Sequence, residues 1–295
     1  MVKKTVHDSV HGSIVVGGAV LELLDTAEVQ RLRGIKQLGL ANIAFPGANH
    51  TRFEHALGAS YMAERVSAAL RLPRDERELL KVTALLHDVG HAPYSHTFEQ
   101  LMLDMIGLDH MEITGEILEG KIPVDDSKRL EKLGVPKTCE ILRKWGFSAR
   151  EVSSLLLGKH EKRYLGDALH GEIDVDQLDY LLRDAHFTGV ALGMVDAERI
   201  INTLVVRKGR LCVMEKGVEA VEGLLTARSL MYSSVYYHHT VRTAEVMLAN
   251  AVDLAVSGMT RREIRGLFLM RDSQLMETLS SVGGLVTELV IRLRY

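Results

Sequence analysis

The stretch Ala84-Leu85-Leu86-His87-Asp88-Val89-Gly90-His91-Ala92-Pro93-Tyr94-Ser95-His96 decides how this chain is read. An apolar helical run ends on an adjacent His-Asp pair. A loop broken at Gly90 and Pro93 follows and carries His91 and His96. Imidazole plus carboxylate is a ligand set for a divalent metal, and histidines beside it can move protons. The stretch therefore proposes attack of a metal-activated water on a phosphate.

Consecutive helical residues point ~100° apart, so His87 and Asp88 flank one ion only if other elements close the site. Two candidates offer themselves. His55 lies in Arg52-Phe53-Glu54-His55-Ala56-Leu57-Gly58, in the first turn of an expected long helix. Asp176 lies in Ile173-Asp174-Val175-Asp176-Gln177-Leu178-Asp179-Tyr180, on a later one. Two histidines and two carboxylates without thiolate suit one divalent ion (Mn, Fe, Ni, Zn or Mg) and leave positions open for water. Taken singly, a His-Asp pair is more often structural, and Asp174, Asp176 and Asp179 read as a solvated acidic face.

Composition sets the frame. The chain has 295 residues, 46% hydrophobic and 25% charged, which allows a large core and argues against disorder. Five prolines and few β-branched runs favour helices. A net charge of −3 leaves no basic footprint for nucleic acid, so none is expected as a partner. Cys139 and Cys212 are far apart and in no metal-like spacing, which fits a reducing compartment. The N-terminus has no apolar run of a signal peptide, and no stretch approaches the ~20 residues that span a bilayer. A cytoplasmic protein without membrane contact is the expectation.

The fold class expected is mostly α, as one domain over 1–295 with a metal core about 50–190 and a C-terminal helical extension about 216–295. Small hairpins are expected near 5–16 and 203–214. Helices are expected over 52–72 (stopped by Pro73), 74–89, two within 97–119, 138–157, 172–186, and one long or two abutting over 216–257. Residues 121–135 read as a polar surface excursion. The chain ends at Tyr295 without a capping Gly or Pro, which suggests a last helix that belongs to a longer architecture or packs on a partner.

Several segments together resemble the HD superfamily of metal-dependent phosphohydrolases. They are His7-Asp8-Ser9-Val10-His11-Gly12, the run from Gln30 to Gly39, Phe45-Pro46-Gly47-Ala48, Arg52-Phe53-Glu54-His55, His87-Asp88-Val89-Gly90-His91, Asp174 to Tyr180, and Arg183-Asp184. Within it the chain looks like the deoxynucleoside triphosphate triphosphohydrolases, the branch of the bacterial dGTPases and the mammalian enzyme with a sterile-alpha-motif domain. The resemblance implies an HD-type helical bundle with His55, His87, Asp88 and Asp176 as metal ligands. It implies His110 paired with Glu99 as the acid toward the leaving oxygen, and His91 and His96 as phosphate contacts. It places Gln37 on a sugar 3′-hydroxyl, Leu38 against the 2′ position, and Tyr232 and Tyr236 beside the nucleoside. It also matches Asp25, Gln30 and Arg33 to a regulatory nucleotide site, and implies a homo-oligomer.

The residues themselves add detail. Arg52 precedes His55 by one helical turn, so its guanidinium can clamp phosphate beside the ion. Asp176, Tyr180 and Asp184 recur at i, i+4, i+8 and form one stripe, a ligand, a ring and an acceptor for a sugar hydroxyl. Arg228, Tyr232 and Tyr236 form a second, which without the family reads as packing with a polar edge. Asp179 and Arg183 read as a structural ion pair. The function expected is hydrolysis of a deoxynucleoside triphosphate to deoxynucleoside and triphosphate. The alternatives are the same scaffold acting on monophosphates, guanine nucleotides or cyclic nucleotides, and a non-enzymatic nucleotide sensor.

Overall fold

The computed structural model describes residues 2–124, 130 and 132–295; the side chains of 95–97 and 100 also fall outside the description. Two antiparallel hairpins flank a helical body. In the first, β1 (Lys3–Asp8) pairs with β2 (Gly12–Gly17). In the second, β3 (Leu204–Arg207) pairs with β4 (Arg210–Val213) across Lys208-Gly209, both at positive φ (51° and 74°). Two positive φ values give the tight turn whose twist matches that of the strands.

The helices run in chain order as α1 (Gly18–Leu23), α2 (Ala27–Arg31), α3 (Arg52–Ala69), α4 (Arg74–Leu86), α5 (Ser95–Ile106) and α6 (His110–Leu118). After the excursion come α7 (Thr138–Lys144), α8 (Ala149–Leu156), α9 (Arg163–His170), α10 (Val175–Thr188) and α11 (Ala197–Thr203). The last group is α12 (Val218–Met231), α13 (His239–Ala255), α14 (Arg261–Phe268), α15 (Asp272–Ser280) and α16 (Gly284–Arg294). Buried apolar side chains form one contiguous cluster from Ile14 to Val290.

α3 is the central helix. It is buried nearly all round, including the polar Arg52 and His55, as a helix in the middle of a body must be. It starts at a capping box, Glu54 accepting from the Thr51 backbone N–H at 2.6 Å. It packs on α4 and on α10. Gly58 permits the second contact, since a Cβ there would overlap the carboxylate of Asp179 and the guanidinium of Arg183.

Several boundaries differ from expectation. α3 ends at Ala69, short of Pro73, because Arg71 turns the chain at φ 54°. α4 ends at Leu86, ahead of the expected 89. There Thr114 on α6 donates to the His87 carbonyl and accepts from Gly90 N–H, which takes over bonds a continuing helix would make. The helices expected over 138–157 are present as α7 and α8, parted at Gly146 (φ 81°). The helix expected from 172 starts at Val175, capped by Asp174. Of the two forms expected over 216–257, the abutting pair is present, joined by a π-turn, Tyr232–Tyr236, in which Tyr237 N–H donates to Tyr232 O. Of the expected excursion 121–135, residues 125–129 and 131 lie outside the described residues.

Candidate active site

Four elements converge on one cleft. The C-terminal end of α4 brings His87 and Asp88, α3 brings His55 and Arg52, α10 brings Asp176, and the loop after α4 brings His91. The segment before α3 joins them through backbone bonds: Gln37 N–H donates to His50 O and Arg52 N–H to Ile35 O. That short ladder lays Gln37 and Leu38 beside the start of α3.

The ligand atoms of His55, His87 and Asp176 all lie within 4.8 Å of one another. His55 Nε2 stands 2.8 Å from Asp176 Oδ1 and 3.3 Å from His87 Nε2. The opposite nitrogens are spoken for. His87 Nδ1 lies 2.7 Å from the Ala84 carbonyl and His55 Nδ1 2.8 Å from Asp179 Oδ2. Each ring in its neutral form therefore donates Nδ1–H outward and turns an Nε2 lone pair inward. Two facing lone pairs at 3.3 Å beside a carboxylate need a cation between them, so the donor set fits a divalent metal. Without one, a proton takes its place. Burial opposes protonation of His55, but Asp176 and Asp179 outweigh it and raise its pKa to about 10. Burial works against the charge of Asp176 too, yet hydrogen bonds from His55 and His87 hold its carboxyl far below the usual carboxylate range.

Asp88 sits slightly apart. Its Oδ2 takes a 2.6 Å bond from Arg52, and its Oδ1 lies 3.2 Å from both His87 Nε2 and His91 Nε2. Against its burial, Arg52 and the two imidazoles keep it ionised. The expected four-residue set is thus a tight group of three with Asp88 adjoining, its second oxygen bound to Arg52.

Behind the ligands lies a buried charge network. Asp179 accepts from Arg183 at both oxygens (2.9 Å each), with His11 Nε2 at 2.6 Å and His55 Nδ1 at 2.8 Å. Arg183 also reaches Asp8, at 2.8 Å. The expected Asp179–Arg183 pair is present, and it doubles as the support of a ligand histidine. Asp174 and Asp179 are buried, so the acidic run is no solvated face.

The cleft, about 450 Å³, is lined by every metal, catalytic and substrate residue expected from sequence except His96, whose side chain lies outside the described residues. His110 Nδ1 stands 2.5 Å from Glu99 Oε1, and its ring stacks face to face on His91 at 3.9 Å. Burial and the nearby charge of Arg52 keep His91 neutral. Gly90 is pressed against the first turn of α6; a Cβ there would overlap His110 O and the Thr114 backbone. On the opposite wall Tyr236 meets Tyr180 and Tyr232 edge-on, at 6.5 and 5.1 Å. Arg228 lies 5.8 Å over the Tyr232 ring.

Asp184, the expected acceptor for a sugar hydroxyl, lies in the cleft wall. Its two oxygens are engaged by His50 Nε2 at 2.8 Å and Tyr236 OH at 2.7 Å. The Gln37 Oε1 is buried in the cleft without a hydrogen-bond partner among the described residues. Sequence reading missed His170, Gln177, Arg242 and Glu245, which also line the cleft. Gln177 follows Asp176 on α10, so adjacency was its signal; no spacing marks the others, which packing brings in on α9 and α13. It named the His7–Gly12 segment without seeing that Asp8 and His11 support the ligand helix, although a His-Asp pair there was the available signal.

Asp25, Gln30 and Arg33 line no part of the cleft. Arg33 donates to Gln30 at 3.0 Å and covers the Phe53 ring at 3.5 Å, while Asp25 is exposed in the turn before α2. A larger hollow of about 920 Å³, between β2, the start of α4 and Trp145, contains none of the expected site residues. Among the described residues no helix is long and apolar enough to cross a membrane.

Known proteins resemble this chain in sequence and in fold. The HD domain pattern covers residues 52–184 and the HD associated region 195–295. An uncharacterized protein of Methanocaldococcus jannaschii is 38% identical over 84% of this chain and 49% of its own length. The deoxynucleoside triphosphate triphosphohydrolase SAMHD1 homolog of Dictyostelium discoideum is 29% identical over 84% of this chain and 48% of its own. The chain thus spans about half the length of these curated relatives. Among solved structures, a hypothetical protein of Aquifex aeolicus superimposes with a TM-score of 0.81 at 33% identity, over 99% of this chain and 75% of that one. A phosphohydrolase of Bacteroides thetaiotaomicron gives 0.77 at 28%, over 98% and 77%. With the His-Asp pair at the heart of the matched region, the chain belongs to the HD superfamily, in the branch whose named relatives are SAMHD1-type deoxynucleoside triphosphate triphosphohydrolases.

Proposed function

We propose that this cleft hydrolyses deoxynucleoside triphosphates to deoxynucleoside and triphosphate, by attack of water on the α-phosphorus. One observation carries the reading: an imidazole–carboxylate cluster, a carboxylate-backed imidazole and a wall of tyrosines with an amide share a single cleft. The printed activity of the SAMHD1 relatives supports it.

His55, His87 and Asp176, with Asp88 adjoining, would hold the ion. A divalent metal there supplies Lewis-acid polarisation of a phosphoryl oxygen and a water of lowered pKa. Arg52, fixed by Asp88, orients its guanidinium toward phosphate oxygens and neutralises their charge. His110 donates Nδ1–H to Glu99, which leaves Nε2 to deliver a proton to the departing 5′-oxygen. Glu99 stabilises the imidazolium before transfer, and His91 holds the ring plane by stacking. Gln37 Oε1 accepts the 3′-hydroxyl, and Leu38 with Tyr236 leaves no polar partner for a 2′-hydroxyl.

The test is incubation with Mn²⁺ and each deoxy- and ribonucleotide, with products separated by chromatography. Deoxynucleoside plus triphosphate is the expected pair. Monophosphate plus pyrophosphate, turnover of only monophosphates or cyclic nucleotides, or no turnover refutes the reading.

A further inference from the structure

The segment 268–272, between α14 and α15, is sewn to both walls of the cleft. Arg31 on α2 is 1% exposed and donates to the carbonyls of Phe268 (3.0 Å), Leu269 (2.6 Å) and Met270 (3.0 Å). The same guanidinium reaches the carbonyls of Val89 (3.3 Å) and His91 (2.8 Å) in the loop after the His-Asp pair. A helix C-terminus presents carbonyls without intrahelical donors, and a planar five-donor guanidinium matches several at once.

Two residues further on, Asp272 makes the second seam. Its Oδ2 accepts from Lys36 N–H at 2.9 Å, beside Gln37, and its Oδ1 from Tyr94 N–H at 3.1 Å. Tyr94 has φ 51° and ψ 40°, a left-handed conformation that residues other than glycine seldom adopt. It directly precedes α5, the helix that carries Glu99. Gly34 faces the Arg271 side chain, and a Cβ there would overlap it. Phe268 packs on Phe98 of α5 at 6.3 Å between ring centroids.

We propose that Asp272 is a positioning residue, which with Arg31 couples the C-terminal helices to the catalytic loop. Asp272 holds Tyr94 left-handed, and that turn aims α5 so that Glu99 meets His110. Released, Tyr94 relaxes to negative φ and swings α5, and the acid loses its carboxylate. Asp272 bonds Lys36 and Tyr94 and none of the ligand side chains on α3, α4 and α10, so its loss should separate acid alignment from metal binding. The inference rests on reading the cleft as catalytic.

The experiment compares the full chain with Asp272→Ala and Asp272→Asn. It reads Mn²⁺ affinity, kcat and KM for a deoxynucleoside triphosphate, and amide hydrogen exchange at Lys36 and Tyr94. Asn keeps one acceptor oxygen but sets its amide against the other N–H, so it should fall between the wild type and Ala. In Asp272→Ala kcat should drop roughly 10- to 100-fold, since a misplacement of ~1 Å costs about that much. KM and Mn²⁺ affinity should change far less than kcat, as when the lost interaction acts in the transition state. The two amides should exchange faster while those of α3 and α10 do not. Wild-type kcat in either folded variant, or metal affinity falling in step with kcat, overturns the proposal. If Asp272→Ala does not fold, Asp272→Asn decides by the same readings. If the wild type turns over no nucleotide, the functional reading fails. The exchange arm still stands alone: unchanged protection at Tyr94 in a folded variant sinks the coupling.

Discussion

Replacing Asp179 by Asn tests whether the buried network behind His55 supports the ligand set. The carboxylate faces two Arg183 N–H groups and two imidazole nitrogens at 2.6 to 2.9 Å. An amide of the same size offers one acceptor oxygen; its NH₂ group must point donors at donors. Removing one partner of a buried ion pair costs about 3–5 kcal/mol. Asp8 still neutralises Arg183 at 2.8 Å, which places the expected loss at the lower end, ~3 kcal/mol. At roughly 2–4 °C per kcal/mol for a chain of this size class, Tm should fall on the order of 10 °C. His55 also loses the group that fixes its Nδ1–H, and outer-shell partners of this kind are worth about 10- to 100-fold in metal affinity. Scanning calorimetry of the metal-free protein and Mn²⁺ titration calorimetry read the two effects. A variant with wild-type Tm and Mn²⁺ affinity within about twofold of wild type, well under the expected loss, refutes the argument.

Further outcomes follow from the same geometry. His55 titrates near pH 10 in the metal-free cleft, so at neutral pH a metal must displace its proton. Mn²⁺ affinity should rise about tenfold per pH unit between roughly 7 and 9, and a flat profile would contradict the assignment. The sign for stability is opposite. A folded pKa above the unfolded value contributes stability fully present below about pH 6.5 and lost as pH climbs toward 10, so metal-free Tm should fall over that window in urea- or heat-denaturation series. Leu38→Ala opens space where a 2′-hydroxyl is expected to be refused. Ribonucleotide discrimination, measured as a ratio of kcat/KM values, should shrink roughly tenfold, within the ~1–3 kcal/mol cost of burying an unpaired hydroxyl; an unchanged ratio argues against the sugar-wall role. Val218, Leu225 and Leu230 leave apolar side chains exposed along α12, and a homo-oligomer should cover them. Light scattering should give at least twice the 32.8 kDa chain mass, and a monomer at every concentration would rule this out.

By itself the sequence determined what depends on neighbours along the chain. Apolar periodicity with few prolines dictated helices, and Lys208-Gly209 between apolar runs dictated a hairpin. The order of histidines and aspartates marked the cleft, because each motif keeps its ligands within a turn or two of one helix end. Boundaries and pairings needed the tertiary structure. α4 stops at Leu86 because Thr114, on another helix, takes over its terminal bonds. The inward-facing nitrogens of His55 and His87 follow from what their other nitrogens touch, Asp179 from far along the chain and the Ala84 carbonyl close by. Asp184 turns out to hold His50 and Tyr236, and Asp272 reaches Lys36 across 236 residues. No spacing encodes such contacts. Hydrogen-bond direction and the charge state of a buried group depend on which atoms packing brings within ~3 Å, and only the folded body decides that.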